Sequence, residues 1–525
     1  MEALVTKTEH RRYSTNCPKL MKNLSTILLV CFFLTSGLAQ EQTVDPLIGK
    51  TLTSEEMHAD LDTYVKLLTE THPGLFRYQS KEDFENRVIE IREKIETDLA
   101  FYAFYTLLQE FSASIRCAHT QLYPQENVLG QLRNNSNALP LYTYPADGKL
   151  YTLFSGTDGT EVQPGYEIKT INGRKAQDIM EEFESYVYRD GNSHSGLTKY
   201  LQGAYFSMTY YNQIDQGPTY EVVFELPDGS ENTLVLKGQP FGRTERNLVT
   251  NPVNQEVLKF YNKSDKNFDF EILDELPNTA RVRFSSFGGR KVNSEEQAVK
   301  KMRQFMDKSL KKMKKENIEN LIIELRGNAG GWDIMGFELI SYLIPEGTQV
   351  DYYRKQIAVT ADSEFLRYSD LDPNDLDLVG TYLIDQGDGS YMINPNTNVT
   401  LRPIKAKPNA FKGNIYVMTD ELTASSAAEF VAIFKSNKLG IIIGREAGGA
   451  YQGGNSGSFI DFTLPNSGFF SRTPLLRYEM GVKPIQDMER GPIPDYPTSL
   501  SLEDLLTGSN PEEELLYKLI REGQK

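Results

Sequence analysis

The alternation of apolar and polar residues predicts a strand, a helix and a second strand between residues 415 and 444. Residues 415–418 (IYVM) and 441–443 (III) are short apolar runs of the kind found in buried strands. Between them, apolar residues recur at helical spacing over residues 428–434. This order predicts a βαβ unit of a parallel sheet. In open α/β sheets, ligands and catalytic groups lie where a strand turns into its helix.

At that junction, residues 423–429 (TASSAAE) carry small side chains and hydroxyl groups. Ser426 and Glu429 have the spacing of a capping box, in which the serine accepts a backbone N–H and the glutamate reaches back. A serine at a helix start can also be a nucleophile, if a base and oxyanion donors lie near it. The local pattern leaves both interpretations open.

A second strand-to-helix junction of the predicted sheet is rich in glycine. Residues 321–325 (LIIEL) have a buried-strand pattern, residues 326–332 (RGNAGGW) follow, and a helix is predicted over residues 333–343. Glycine allows close approach of the backbone to a ligand, so this turn can supply an oxyanion donor. A tight connection without a chemical role is the alternative. The run lacks the Gly-Lys-Ser/Thr ending of a phosphate-binding loop.

The same patterns divide the chain into segments of different character. We predict a helical N-terminal domain at 40–136, a β-rich domain at 137–240, a linker at 241–264, an α/β core at 265–510 and a C-terminal helix at 511–525. Within the β-rich segment, residues 162–173 (VQPGYEIKTING) resemble a PDZ domain, which binds extended chain ends by strand addition. Any small β-rich insert is the alternative.

Composition and charge restrict the compartment and the partners. Residues 24–34 are apolar and are followed by small residues up to Ala39, which predicts a secretory signal over residues 1–39 with Met21 as its start. The run is too short for a stable membrane span, so we expect an exported, periplasmic or extracellular protein. The net charge of −16 argues against nucleic acid and anionic membranes as partners. No metal-binding motif is present and no cofactor is predicted.

The residue patterns alone do not identify the base that a nucleophilic serine needs. Four histidines follow residue 39, namely His58, His72, His119 and His194. His58 lies in a polar helix start and His72 in a His-Pro-Gly turn, so we interpret both as structural. Cys117 is the only cysteine after residue 39, which excludes an internal disulfide in a processed chain and leaves the thiol as an alternative nucleophile.

Four motifs in order resemble the C-terminal processing, or tail-specific, serine peptidases. They are residues 325–331 (LRGNAGG), 423–429 (TASSAAE), 444–449 (GREAGG) and 490–495 (RGPIPD). The resemblance covers about residues 53–508. It implies an α/β fold with a ClpP/crotonase-like catalytic core, an N-terminal helical domain and a PDZ-like β-rich domain. It also implies hydrolysis of peptide bonds.

The resemblance assigns roles to individual residues. Aligned on Ser-x-x-Glu, the family's nucleophile falls on Ser426, not on Ser425. Residues 450–452 (AYQ) lack the lysine of the Ser/Lys branch. Residues 118–120 (AHT) instead look like the histidine motif of the tricorn-like branch, which implies His119 as the base. That branch has a serine before this histidine, where the present chain has Ala118.

Three further residues complete the predicted site. The N–H groups of Gly330 and Ala427 are the predicted oxyanion donors, and Glu489 is the predicted acid that orients His119. The resulting hypothesis is an exported serine endopeptidase that acts on peptides or unstructured protein segments. The alternative is a catalytically inactive protein that binds peptides or apolar ligands on the same scaffold.

Overall fold

A computed structural model describes residues 45, 47–124, 132–261, 266–288, 292, 294–371 and 379–523. The predicted signal region, residues 1–39 with the start at Met21, lies outside these residues.

The first part of the chain is helical, as its apolar spacing predicts. Its elements are β1 (Thr51–Leu52), α1 (Ser54–Thr71), α2 (Lys81–Lys94), β2 (Leu99–Ala100), α3 (Phe101–Ser114) and β3 (Gln121–Tyr123). A capping box between Thr53 and Glu56 starts α1. The apolar faces of the three helices share one core, in which Met57, Leu61 and Phe104 are fully buried.

The second part is a six-stranded antiparallel sheet with three helices. Its elements are β4 (Leu141–Ala146), β5 (Lys149–Ser155), β6 (Glu167–Ile171), β7 (Arg174–Lys175), α4 (Ala176–Phe183), α5 (Ser195–Leu201), α6 (Ala204–Gln213), β8 (Thr219–Glu225) and β9 (Glu231–Lys237). The strand order is β4-β5-β6-β8-β9, and the short β7 pairs with β6. The apolar runs that predict strands correspond to β5, β8 and β9.

The segment predicted as a linker is helical over much of its length. It forms α7 (Phe241–Thr250) and α8 (Gln255–Leu258). Leu248 and Val257 are buried in one cluster with Tyr142 and Phe154 of the antiparallel sheet. This burial of one helix face explains why the segment is ordered and is not a linker.

The third part contributes to two further six-stranded sheets. Its elements are β10 (Phe268–Ile272), β11 (Thr279–Phe284), α9 (Glu295–Lys315), β12 (Asn320–Glu324), α10 (Asp333–Ser341), β13 (Gln349–Val350), β14 (Tyr353–Ala358), β15 (Leu383–Asp385), β16 (Tyr391–Ile393), β17 (Ile404–Lys405), β18 (Asn414–Thr419), α11 (Ser426–Ser436), β19 (Ile441–Gly444), β20 (Asn455–Thr463), β21 (Phe470–Met480), β22 (Tyr496–Pro497), α12 (Leu502–Thr507) and α13 (Pro511–Arg521). The mixed α/β class predicted from the sequence is confirmed.

The first of these sheets has the order β10-β11-β12-β18-β19-β22 and is parallel from β11 onward. Helices α9, α10 and α11 cover one face, where Val282, Ile323 and Val417 are completely buried. Because β12, β18 and β19 are adjacent and parallel, their carboxyl ends lie side by side. The glycine-rich turn, the serine turn and the GREAGG turn therefore meet at one edge of the sheet.

The second sheet connects this part to the N-terminal helices. Its order is β15-β16-β14-β21-β20, with antiparallel pairing. Strand β3 pairs with β21, where Leu122 faces Ser471. Since β3 begins two residues after His119, this pairing fixes the histidine turn against the third part of the chain. Within the described ranges, no helix is long and apolar enough to cross a bilayer.

A buried ionic network fastens the three turns together. Arg326 follows β12 and pairs with Glu324 at 2.6 Å and with Glu512 of α13 at 2.5 Å. Arg445 follows β19 and pairs with Glu512 and with Glu421, which follows β18. Glu512, which is 1% exposed, therefore joins two turns to the C-terminal helix. Removing one partner of such a network leaves an uncompensated buried charge, which is strongly unfavourable.

We predict that Glu512→Gln lowers the free energy of unfolding by about 3–5 kcal/mol, because both arginines lose a charged partner. Urea denaturation followed by circular dichroism measures this change. The matched control is Glu514→Gln, an exposed position on the same helix, which should change stability by less than about 0.5 kcal/mol. Equal effects of the two substitutions would contradict this role for the network.

Candidate active site

The serine turn has an unusual backbone. Ser425 precedes the first residue of α11 and has φ 53° and ψ −133°, a region that residues with side chains rarely adopt. Two hydrogen bonds hold it there: its N–H donates to the Gly448 carbonyl at 3.2 Å, and its carbonyl accepts the Glu429 N–H at 3.0 Å. A strained serine between a strand and a helix presents its hydroxyl outward, as in known nucleophile turns. The Ser425 side chain is accordingly half-buried, not enclosed.

Ser426 occupies a different environment. It is the first residue of α11 and is 2% exposed, and its Oγ is buried with no hydrogen-bond partner in the described part of the chain. The predicted capping box between Ser426 and Glu429 is wrong. Glu429 instead accepts a hydrogen bond from the Tyr353 hydroxyl at 2.6 Å. The helix starts one residue earlier than a capping box requires, so Ser426 is its first residue and not its N-cap.

The glycine-rich turn packs directly on the serine turn. Gly330 and Gly331 have φ values of 93° and 144°, which favour glycine. A Cβ on Gly330 would lie 2.8 Å from Ser425 Cβ and 3.0 Å from the Ser426 backbone nitrogen. Only glycine permits this approach. Buried Asn328 fixes the turn, because its Oδ1 accepts the Gly330 N–H at 2.9 Å and its Nδ2 donates to the Phe284 carbonyl.

The two N–H groups predicted as oxyanion donors are already used. The Gly330 N–H donates to Asn328, and the Ala427 N–H donates to the Ala424 carbonyl at 3.1 Å. For the N–H groups of Gly331 and Ser426, the described residues offer no acceptor. These two N–H groups are the candidate oxyanion donors: Ser426 directly follows Ser425, and Gly331 directly follows Gly330, which packs on Ser425. The candidate donors therefore differ from the predicted ones by one residue each: Gly331 replaces Gly330, and Ser426 replaces Ala427.

His119 lies in the turn between α3 and β3. The Thr120 N–H donates to the Cys117 carbonyl at 3.2 Å, and the imidazole packs on Phe459 of β20 with ring centroids 6.0 Å apart. Its Nδ1 is buried and has no partner among the described residues. Burial lowers the pKa of His119, the Asp190 carboxyl opposes this shift, and Arg472 and Lys199 reinforce it. At neutral pH the ring is in the neutral form that accepts protons.

The other three histidines have positions consistent with structural or surface roles. Buried His72 contacts the Thr120 hydroxyl through Nε2 at 2.7 Å and accepts the Gly74 N–H through Nδ1 at 3.1 Å. Burial lowers its pKa to about 4. His58 lies within α1, and exposed His194 precedes α5. His72 thus supports the turn that carries His119.

Glu489 lies beside the loop of residues 190–195. Its Oε2 accepts a hydrogen bond from Asn192 Nδ2 at 2.8 Å, and its backbone carbonyl accepts the Asn192 N–H at 2.9 Å. A different acid of this loop is closer to the histidine turn, because Asp190 Oδ1 accepts the Ala118 N–H at 2.9 Å. Sequence reasoning missed Asp190. Its only local signal is an Asp-Gly turn, which is common in loops without chemistry.

The loop of residues 190–195 contacts both the histidine turn and the serine turn. At one end Asp190 binds the Ala118 N–H. At the other end Ser195 Oγ lies 3.5 Å from where a Cβ on Gly448 would be, and the Gly448 carbonyl accepts the Ser425 N–H. The loop of residues 190–195 therefore connects the turn of His119 with the turn of Ser425, which are about 300 positions apart in the sequence. Among the described residues, no group of acidic, histidine or cysteine side chains is arranged to hold a metal ion.

Cys117 is enclosed despite its proximity to His119. It is 1% exposed, and burial raises the pKa of its thiol to about 12. A nucleophilic cysteine requires a thiolate and access to substrate, and this thiol has neither.

We predict that iodoacetamide does not alkylate Cys117 in the folded protein at pH 7–8, because the thiol is protonated and buried. Mass spectrometry of the intact protein before and after unfolding measures the modification. Rapid alkylation of the folded chain with loss of activity would restore the thiol as a candidate nucleophile.

Two carboxyl groups lie among aromatic rings behind the serine turn. Burial is the main cause that raises the pKa of Glu429 to about 8 and that of Asp333 to about 6. The carboxyl groups of Asp333 and Asp190 also raise the pKa of Glu429, and Glu295 also raises that of Asp333. The Tyr353 hydroxyl donates to Glu429, and this hydrogen bond lowers its pKa only in part. The folded protein therefore keeps a proton on Glu429 that the unfolded chain releases.

This proton predicts a pH dependence of stability. Between pH 4.5, the ordinary pKa of the group, and about 8, the native state binds more protons than the unfolded state, so stability falls as pH rises. The slope for one proton is at most about 1.4 kcal/mol per pH unit. Glu429→Gln should flatten this slope in urea titrations, whereas exposed Glu514→Gln should leave it unchanged. An unaltered slope in the Glu429 variant would contradict the buried neutral carboxyl.

Comparison with known proteins finds a peptidase family by sequence and solved structures of similar fold. A sequence profile described as peptidase family S41 matches residues 278–473, a range that includes the glycine-rich turn and both serines. No curated relative matches the chain by sequence. The structure of mature CPAF complexed with lactacystin has a TM-score of 0.60 at 15% identity and covers 89% of this chain and 98% of that chain. Mature CPAF in another crystal structure has a TM-score of 0.59 at 13% identity, with 89% and 97% covered. At these identities the likeness shows a shared fold.

Proposed function

Residues 278–473 belong to peptidase family S41, and from this premise we propose that the protein is an exported serine endopeptidase whose nucleophile is Ser425. Membership of the family supports a serine peptidase that acts on peptides or proteins. The observation that carries the choice of nucleophile is the register of the serine turn. Ser425 is the strained and half-buried serine of this turn, and the two N–H groups without an acceptor in the described residues belong to Ser426 and Gly331.

The chemistry follows from these positions. His119 accepts the proton of the Ser425 hydroxyl while Oγ attacks the carbonyl carbon of the scissile peptide bond. The N–H groups of Gly331 and Ser426 bind the oxyanion that forms. The imidazolium then returns its proton to the leaving amine, the C–N bond breaks, and an ester links substrate and Ser425. Water hydrolyses this ester with His119 again as the base.

Ser426, the nucleophile predicted from the motif alignment, is the competing assignment for the same reaction. Its hydroxyl is buried at the first position of α11, so an attack from it requires the helix start to move. The oxyanion donor after it would be the Ala427 N–H, which already bonds to Ala424. Both requirements favour Ser425.

Substrate selection is proposed to involve the antiparallel sheet of residues 141–237. A PDZ-like module of this kind would bind an extended chain end by strand addition. Binding by strand addition would favour substrates with unstructured segments, because a folded substrate does not present a free strand.

A catalytically inactive binding protein on the same scaffold is the second candidate. One observation favours it: His119 Nδ1 has no hydrogen-bond partner within the described residues, whereas a base of a serine peptidase is usually oriented through this nitrogen. This candidate retains saturable binding of peptides or apolar ligands without turnover.

We predict that Ser425→Ala lowers peptide cleavage by about 10³-fold or more, because it removes the attacking oxygen. Ser426→Ala removes only an unpaired buried hydroxyl, so activity should stay within about tenfold of wild type, as expected for a group outside the reacting atoms. The measurements are hydrolysis of a fluorogenic peptide and labelling by a fluorophosphonate. Lactacystin, which is bound in the related CPAF structure, is a second probe.

The matched pair of alanine variants separates the hypotheses, with circular dichroism as the control for folding. Loss of activity in Ser426→Ala alone would assign the nucleophile to Ser426. Binding of peptides by a wild-type protein that neither cleaves nor reacts with the fluorophosphonate would support the second candidate.

A further inference from the structure

The turn that carries His119 is clamped by the loop of residues 190–195. The Gly191 N–H donates to the Arg116 carbonyl at 3.0 Å, and the Ala118 N–H donates to Asp190 Oδ1 at 2.9 Å. These two hydrogen bonds are made by the residues before and after Cys117. The turn begins at Arg116, whose φ is 56°. A turn with such a strained residue keeps its shape only when its surroundings fix it. The clamp therefore determines where His119 lies.

The carboxyl group of Asp190 is buried between the histidine turn and β20. Asp190 is 5% exposed, and its carboxyl atoms lie 3.4 Å from where a Cβ on Gly454 would be. Gly454 precedes Asn455, whose carbonyl accepts the Cys117 Sγ–H at 3.9 Å. A Cβ at position 454 would therefore be in van der Waals contact with the carboxyl group of Asp190. The carboxyl group of Asp190 thus lies between the turn that carries His119 and Gly454.

The charge of Asp190 has no cationic side chain to pair with in the described part of the protein, since no lysine, arginine or histidine nitrogen lies within 4.0 Å of it. Its field nevertheless reaches His119, where it raises the pKa against the effect of burial. The other charged groups near His119 are Arg472 of β21 and Lys199 of α5, and both lower that pKa. The charge of Asp190 therefore favours a protonated His119, as does a hydrogen bond to the backbone of Asn455.

We propose that Asp190, and not Glu489, is the positioning residue that fixes the His119 turn and stabilises the imidazolium formed during catalysis. The proposal rests on the proposed function, because an imidazolium forms only if His119 takes the serine proton. Glu489 contacts Asn192 and is not among the charges that shift the pKa of His119. Asp190 acts through the Ala118 backbone and through its charge, since His119 Nδ1 has no bonded acceptor in the described residues.

This assignment gives the middle part of the chain a role in the chemistry. Ala118 occupies the place of the serine that precedes the histidine in the resembled family, and a side-chain relay from position 118 is not available to an alanine. The backbone N–H of Ala118 replaces it by binding an acid from the loop. The same loop contacts the serine turn through Ser195 and Gly448. A displacement of this loop would move the base and the nucleophile together.

The test separates the charge of Asp190 from its hydrogen bond. Asp190→Asn keeps an oxygen that accepts the Ala118 N–H and removes only the charge, whereas Asp190→Glu keeps the charge. Glu489→Gln examines the acid predicted from the sequence. The matched control is Asp228→Asn, since Asp228 also accepts a backbone N–H but lies in an exposed turn between β8 and β9. Thermal denaturation of each full-length variant checks folding.

The first readout is the pKa of His119, measured by NMR titration of ¹³C-labelled histidine and assigned with His119→Gln. In Asp190→Asn this pKa should fall by about one pH unit or more, as expected for loss of a nearby opposite charge. Asp190→Glu should restore it at least in part, and Asp228→Asn should leave it unchanged. A purely structural role for Asp190 predicts no such pattern, because the asparagine keeps the hydrogen bond.

The second readout is the kinetics of peptide hydrolysis. In Asp190→Asn the kcat should fall about tenfold or more at similar KM, as for loss of support to a general base, and the acid limb of the pH–rate profile should move to lower pH. An unchanged pKa of His119 and an unchanged kcat in Asp190→Asn would overturn the proposal. A fall of both in Glu489→Gln alone would assign the role to Glu489. Because the titration requires no turnover, a wild-type protein without peptidase activity refutes the proposed function independently.

Discussion

The structure depends on one constraint: three loops from three neighbouring parallel strands must meet at one edge of the sheet. Hydrogen bonds between the loops fix part of this arrangement, such as the Ala424 N–H to Asn328 and the Gly448 N–H to Thr423. The buried ion pairs of Arg326 and Arg445 with Glu512 hold two of these loops against the C-terminal helix. Burying charges is costly unless each has a partner, so the network permits only a narrow range of loop positions. The strained backbone of Ser425 is maintained within that range.

This edge of the sheet supplies a hydroxyl and two N–H donors, but no base. The proposed base, His119, comes from the N-terminal part of the chain, where strand β3 pairs with β21 of the second sheet. The middle part of the chain then connects the two halves through the loop of residues 190–195. A site assembled from three separate segments is sensitive to their relative positions, which is consistent with a peptidase whose activity depends on how its modules are packed.

Much of the fold was predictable because apolar periodicity reflects burial. The βαβ unit around residues 415–444, the helix at Glu295–Lys315 and the helical N-terminus follow from this pattern alone. The register of the serine turn does not. Ser425 and Ser426 are adjacent and chemically identical, and only the backbone conformation shows which hydroxyl is enclosed. Asp190 was also beyond prediction, because its contact with Ala118 joins residues 72 positions apart and leaves no local pattern.

The most direct test of this account is to find the residue that a fluorophosphonate modifies. The wild-type protein is labelled, digested and sequenced by tandem mass spectrometry, with fragments that separate the two serines. The account predicts a single phosphonylated residue, Ser425, and no modification after His119→Gln. Phosphonylation of Ser426 would contradict the register of the site, and a folded protein that remains unmodified would contradict its assignment as a serine peptidase.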